Sequence, residues 1–114
     1  MYFHIVSPIF LLELRLMSIH TDEVLLKLIG KRIREIRTLR KMSQKDVAFK
    51  IGMETSNFSV IETGKSNPQV LTYAKIAAAL DVDLRLFFDF EPPFDYRAFG
   101  EEPGTYSPRK HVKQ

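Results

Sequence analysis

The run Ser43–Pro68, SQKDVAFKIGMETSNFSVIETGKSNP, decides how this chain folds, because it holds two short apolar patterns with helical spacing joined around one glycine. Ser43 is a good N-cap, and Asp46 three residues on makes a near capping box, so a helix starts here with Val47, Ala48 and Ile51 on its buried side. Gly52 ends that helix at little cost, since glycine takes the left-handed conformation that a sharp exit needs. A second helix follows from about Thr55 to Thr63, with Met53 just before it and Phe58 and Ile61 turned inward. Its other face, Glu54, Thr55, Ser56 and Ser59, is short of the apolar residues a core would want.

Upstream, apolar residues recur at Val24, Leu25, Leu28, Ile29, Ile33, Ile36 and Leu39, so the spacing predicts an amphipathic helix over 22–42. Downstream, Gly64 closes the helix, GKSNP loops, and Pro68 stands near the start of a fourth helix carrying Val70, Tyr73, Ile76, Ala77 and Leu80. Leu84, Phe87 and Phe88 suggest a fifth, short helix that caps the core. No alternating run is long enough for a central strand. The expected architecture is all-α: a compact five-helix domain flanked by a short apolar N-terminal extension and a flexible C-terminal tail.

At 114 residues the chain supports one core. The expected divisions are an extension over 1–21, a folded domain over 22–90 and a tail over 91–114. Residues 2–16, YFHIVSPIFLLELRL, are too short to span a bilayer and carry Pro8, Glu13 and Arg15, and they lack the flanks of a signal peptide. Met17 opens a second plausible start directly before the periodic part; the competing reading is a short strand or helix that pairs with a second copy. The tail is rich in Pro, Gly and charge, with Phe94, Tyr96, Phe99 and Tyr106 dotted along it.

Hydrophobic residues make up 45% of the chain and charged ones 27%, an ordinary globular balance. The absence of cysteine excludes disulfides, thiol catalysis and Cys-ligated zinc, and it suits a reducing cytoplasm. His4, His20 and His111 lie outside the expected core, and no carboxylates show metal-ligand spacing, so neither an enzyme nor a metal or other cofactor is expected. Charge is distributed unevenly. Between Lys27 and Lys75 there are 11 Lys and Arg against four acids, whereas Asp81 to Glu102 holds seven acids against Arg85 and Arg97. A basic body before an acidic segment suggests a polyanionic partner for the body.

The ordered set Ser43-Gln44, Val47-Ala48, Ile51-Gly52, Phe58, Ile61-Glu62, Gly64-Lys65, Asn67-Pro68, Ile76-Ala77, Leu80 and Leu84 resembles the helix-turn-helix family of the Cro protein and the lambdoid phage repressors, the XRE-like family. The likeness runs over roughly residues 29–88. It implies that the first of the paired helices lies across the DNA backbone while the second enters the major groove and keeps one face free of the core. Glu54, Thr55, Ser56, Ser59 and Val60 would then be the base-contacting face. The Thr55 and Ser56 hydroxyls can donate or accept at base edges, although Thr55 has a second reading as a helix cap. Val60 suits a thymine methyl. Glu54 departs from the family pattern: it would repel a phosphate or accept from a cytosine amino group.

The resemblance further implies phosphate contacts from Gln44, which also braces the reading helix, and from Asn57, Lys65, Ser66 and Asn67, with Lys41 and Lys45 on a basic rim. Lys31, Arg32 and Arg34 read as a solvated face. Arg37 and Glu62 fall where relatives hold a structural ion pair. The function implied is a transcription regulator, in the first instance a repressor, that binds double-stranded DNA as a homodimer, with dimer contacts near Leu84, Phe87, Phe88 and Phe90. The alternative is an interaction protein: an antitoxin whose tail or N-terminus holds a toxin, or an adaptor using the same fold.

Overall fold

The computed structural model describes residues 21–100, whose regular elements are all helical, with no strand among them. Four α-helices follow in order: α1 Thr21–Leu39, α2 Gln44–Lys50, α3 Thr55–Glu62 and α4 Val70–Leu80. Two short 3-10 helices, Leu84–Phe88 and Tyr96–Gly100, come after them. The expected fifth α-helix is thus a single 3-10 turn. Asp83 starts it by accepting from the Arg85 amide at 2.9 Å, and Phe88 is followed within a few residues by Pro92 and Pro93, which leaves no length for an α-helix.

All four helices end in the same way. A left-handed residue follows each one, at Lys41, Gly52, Gly64 and Asp81, with φ between 57 and 76°. The next amide then reaches back to a carbonyl five residues earlier: Met42 to Arg37, Met53 to Ala48, Lys65 to Val60 and Val82 to Ala77, at 2.9–3.2 Å. These bonds satisfy carbonyls that a helix end would leave open. The first helix therefore stops at Leu39, short of the Met42 expected from periodicity, because Lys41 turns the chain.

Residues Asp22–Phe94 form one compact unit. Its core gathers Ile29, Ile33 and Ile36 of α1, Val47 and Ala48 of α2, Phe58 and Ile61 of α3, and Tyr73, Ile76, Ala77 and Leu80 of α4. Phe87 and Phe90 close it from the C-terminal side, and both are buried. This overturns the expectation that they contact a second copy: only Phe88 of that group is exposed, edge-on to Tyr73 with ring centroids 6.4 Å apart. Leu39 and Val70, expected inside, lie on the surface, since the inward stripe of α1 ends at Ile36 and that of α4 begins at Tyr73. Phe94 meets Phe90 edge-on at 6.5 Å, so the packed unit runs through it.

Long-range polar contacts fasten the ends of the helices. Arg32 Nε donates to the Leu86 carbonyl at 3.1 Å, and Arg40 Nη2 donates to that of Asp81 at 2.9 Å. Arg32, read from sequence as part of a solvated face, thus holds the 3-10 turn over the core. The remaining described residues, Thr21 and 95–100, belong to a second unit, in which Asp95 Oδ1 accepts from the Arg97 backbone amide and from its Nε. The N-terminal extension, its alternative start at Met17 and the tail beyond residue 100 lie outside the described residues.

Candidate nucleic-acid interface

The pair α2–α3 is built from local chemistry. Ser43 Oγ accepts from the Asp46 amide at 3.0 Å while the Asp46 carboxylate accepts from the Ser43 amide at 2.9 Å, a complete capping box. The two bonds from Ser43, the backbone one first, hold the Asp46 carboxyl below its usual pKa. Gly52 then turns the chain, and α3 packs Phe58 and Ile61 into the core beneath α2.

Glu62 at the end of α3 is the hub of the arrangement. Its side chain is only 2% exposed, and its two oxygens receive three donors. Arg37 Nε reaches Oε2 at 2.6 Å, Arg37 Nη2 reaches Oε1 at 3.1 Å, and Gln44 Nε2 reaches Oε1 at 2.8 Å. Arg37 also donates through Nη1 to the Met42 carbonyl at 2.8 Å. A bidentate guanidinium thereby ties α1, the loop after it, the first residue of α2 and the last of α3 into one network. Gln44, expected on phosphate, has one amide hydrogen engaged inside this network.

With Phe58, Ile61 and Glu62 buried, the opposite side of α3 presents Glu54, Thr55, Ser56, Asn57 and Val60 as exposed residues and Ser59 as half-buried. Thr63, which the sequence reading did not single out, is exposed on the same side; its hydroxyl donates to the Val60 carbonyl at 3.1 Å. Lys41, Lys45, Lys65 and Asn67 are exposed around this face. Ser66 differs: it is half-buried, and its hydroxyl oxygen is buried with no hydrogen-bond partner among the described residues. Phe49 of α2 went unnoticed in the sequence yet is 85% exposed. It lines an open concavity of about 880 Å³ with Met42, Lys45, Lys50, Met53 and Thr55. Its position follows from α2 itself: Val47 and Ala48 take the inward side, which leaves the next residue outside.

The helix-turn-helix model HTH_3 matches residues 33–87, a stretch containing the hub, the glycine turn and the exposed face of α3. A restriction-modification controller protein, C.AhdI from Aeromonas hydrophila, is 36% identical in sequence; the superposition covers 55% of this chain and 96% of that one, with a TM-score of 0.54. The chain belongs to the XRE-type helix-turn-helix family. An HTH_3 family transcriptional regulator from Vibrio cholerae is 28% identical, with a TM-score of 0.55 over 59% of this chain and 38% of that one. Multiprotein-bridging factor 1 of Candida glabrata is 40% identical over 57 residues, half of this chain, which spans 38% of that protein's length.

The XRE-type fold is that of DNA-binding transcription regulators, and the family is not one of enzymes. Among the described residues no three His, Cys, Asp or Glu side chains are grouped to hold a metal ion. No helix there is long and apolar enough to cross a membrane.

Proposed function

We propose that this protein is a sequence-specific regulator of transcription, in the first instance a repressor, that binds double-stranded DNA as a homodimer with α3 in the major groove. The observation that carries the reading is the division of α3 into two sides. One is locked by the buried Glu62 network, and the other offers Thr55, Ser56, Ser59 and Val60, whose side chains make no hydrogen bond to another described residue. A rigidly held helix with a free polar face is what base readout requires. The second amide hydrogen of Gln44, together with Lys41, Lys45, Asn57, Lys65 and Asn67, supplies the donors for flanking phosphates. Arg37 and Glu62 act as the structural pair that fixes the angle of α3.

One such domain buries a small interface, so two copies on half-sites about one helical turn apart are the route to useful affinity. The apolar residues exposed on and after α4, namely Val70, Leu71 and Phe88, support pairing with a second copy. The test is selection from a random duplex library at near-physiological salt. A two-fold symmetric motif, lost in a folded Thr55→Ala/Ser56→Ala double variant, is the expected result. A second reading, a protein-binding adaptor, is favoured by the exposed Phe49 beside Met42 and Met53 and by the likeness to a multiprotein-bridging factor. A pool that stays random while binding falls steeply with salt would move that reading to the front.

A further inference from the structure

We infer that Glu54 is the specificity-determining charge of the DNA-reading surface, selecting a cytosine in each half-site by accepting a hydrogen bond from its N4 amino group. The inference rests on α3 being the DNA-reading helix. Its starting point is what α3 lacks. The helix, TSNFSVIE, contains no Lys or Arg, so nothing on it can make the forked contact to guanine O6 and N7. Of the two carboxylates at its ends, Glu62 is consumed by Arg37 and Gln44. Glu54 alone is left as a charge facing outward.

The state of that carboxylate is the second observation. Glu54 stands at the N-cap position of α3, where a side-chain oxygen ordinarily takes a backbone amide, yet it makes no cap hydrogen bond. Ser43 and Asp83, the N-caps of α2 and of the first 3-10 helix, are used in that way, whereas Gln69 at the start of α4, like Glu54, is not. No hydrogen bond or ion pair joins Glu54 to another described residue, although Lys45 and Lys50 line the same concavity. The carboxylate is exposed and free to meet a ligand.

Which base it meets follows from the groups in the major groove. A carboxylate only accepts, so it needs a donor, and the donors there are cytosine N4 and adenine N6. The adenine amino group lies between two acceptors, N7 of its own ring and O4 of the paired thymine. The cytosine amino group has an acceptor on one side only, the guanine O6, and a carbon-bound hydrogen on the other. An anionic acceptor is therefore repelled less at cytosine. Everywhere else on the duplex Glu54 faces phosphate charge, which penalises binding to sites without the cytosine. Val60, about 9 Å further along the helix at 1.5 Å per residue, reaches a base two to three steps away, where a thymine methyl suits it.

The experiment is parallel selection from one random duplex library with the full chain, its Glu54→Gln variant and its Glu54→Ala variant, with affinity for a mixed-sequence duplex measured alongside. Both variants should fold as the parent does, since the side chain is exposed and caps nothing. In the parent motif one symmetric pair of positions should be cytosine. In Glu54→Gln that preference should fall by about ten- to a hundredfold and adenine should gain, because glutamine pairs with adenine N6 and N7. Affinity for the mixed duplex should rise in both variants. If the variants enrich the parent motif with its cytosine preference unchanged, the inference is overturned while the regulator reading stands. If the parent enriches no motif, the DNA-reading role fails and takes this inference with it.

Discussion

At the scale of single residues, the buried carboxylate of Glu62 is the most exacting group in the molecule. Its charge is tolerable only because Arg37 and Gln44 surround it, so Arg37→Ala should cost on the order of 3–5 kcal/mol in chemical denaturation by leaving that charge uncompensated. An Arg37→Met/Glu62→Met double variant, which removes both charges, should lose much less. Arg37→Ala would weaken DNA binding by loosening the hub that holds α3 and is a poor probe of contact. Asp46 tests a gentler term. Its folded pKa is depressed by Ser43, so the capping box contributes stability above the unfolded-state aspartate pKa and loses it as pH falls through the folded value. Replacing Asp46 with Asn should flatten the dependence of melting temperature on pH below about 4 and leave the neutral range nearly flat. Both groups were legible in the sequence, Asp46 by its spacing from Ser43 and Glu62 by family resemblance. The three-donor geometry was not, because Gln44 and Arg37 meet Glu62 only when three helices have packed.

At the scale of elements, the contact between α1 and the end of α3 rests on a residue the sequence reading passed over. A Cβ on Gly30 would collide with the Glu62 carbonyl oxygen and lie 2.6 Å from that of Ile61. Backbone cannot yield as a flexible side chain would, so Gly30→Ala should push α3 away from α1, costing at least the 1–3 kcal/mol usual for overpacking. Gly52→Ala offers the contrast. Nothing lies within 4 Å of its absent Cβ, and its φ of 69° should cost about 1 kcal/mol with the packing intact. Urea denaturation of the two variants should separate crowding from strain. A glycine inside an apolar period looks like a weak helix position until the partner backbone is known, which is why Gly30 was silent and Gly52, placed between two patterns, was plain. The fifth helix failed for a related reason: Leu84, Phe87 and Phe88 have helical spacing, but an Asp-capped five-residue turn satisfies it equally well.

At the scale of the whole molecule, charge placement governs association. The basic body that contains α1 to α4 should give DNA binding a steep salt dependence, and Lys65→Ala should reduce the slope of log affinity against log salt by about one without altering the selected motif. The same titration on Glu54→Gln should leave the slope while changing the motif, which distinguishes a phosphate contact from a base contact. The sequence by itself determined where the four α-helices lie and that glycines turn the chain after two of them. Capping boxes, glycine exits and the 3.6-residue period act within a turn or two of chain, and every one of those signals is complete in the stretch that carries it. Which surface residues are truly free was decided by tertiary structure alone. Arg32 is bound to a carbonyl 54 residues away, Ser66 hides its hydroxyl, Phe87 and Phe90 fill the core, and Phe49 stands in solvent. Burial is a property of the distant chain that arrives to cover a residue, and no local pattern records that arrival.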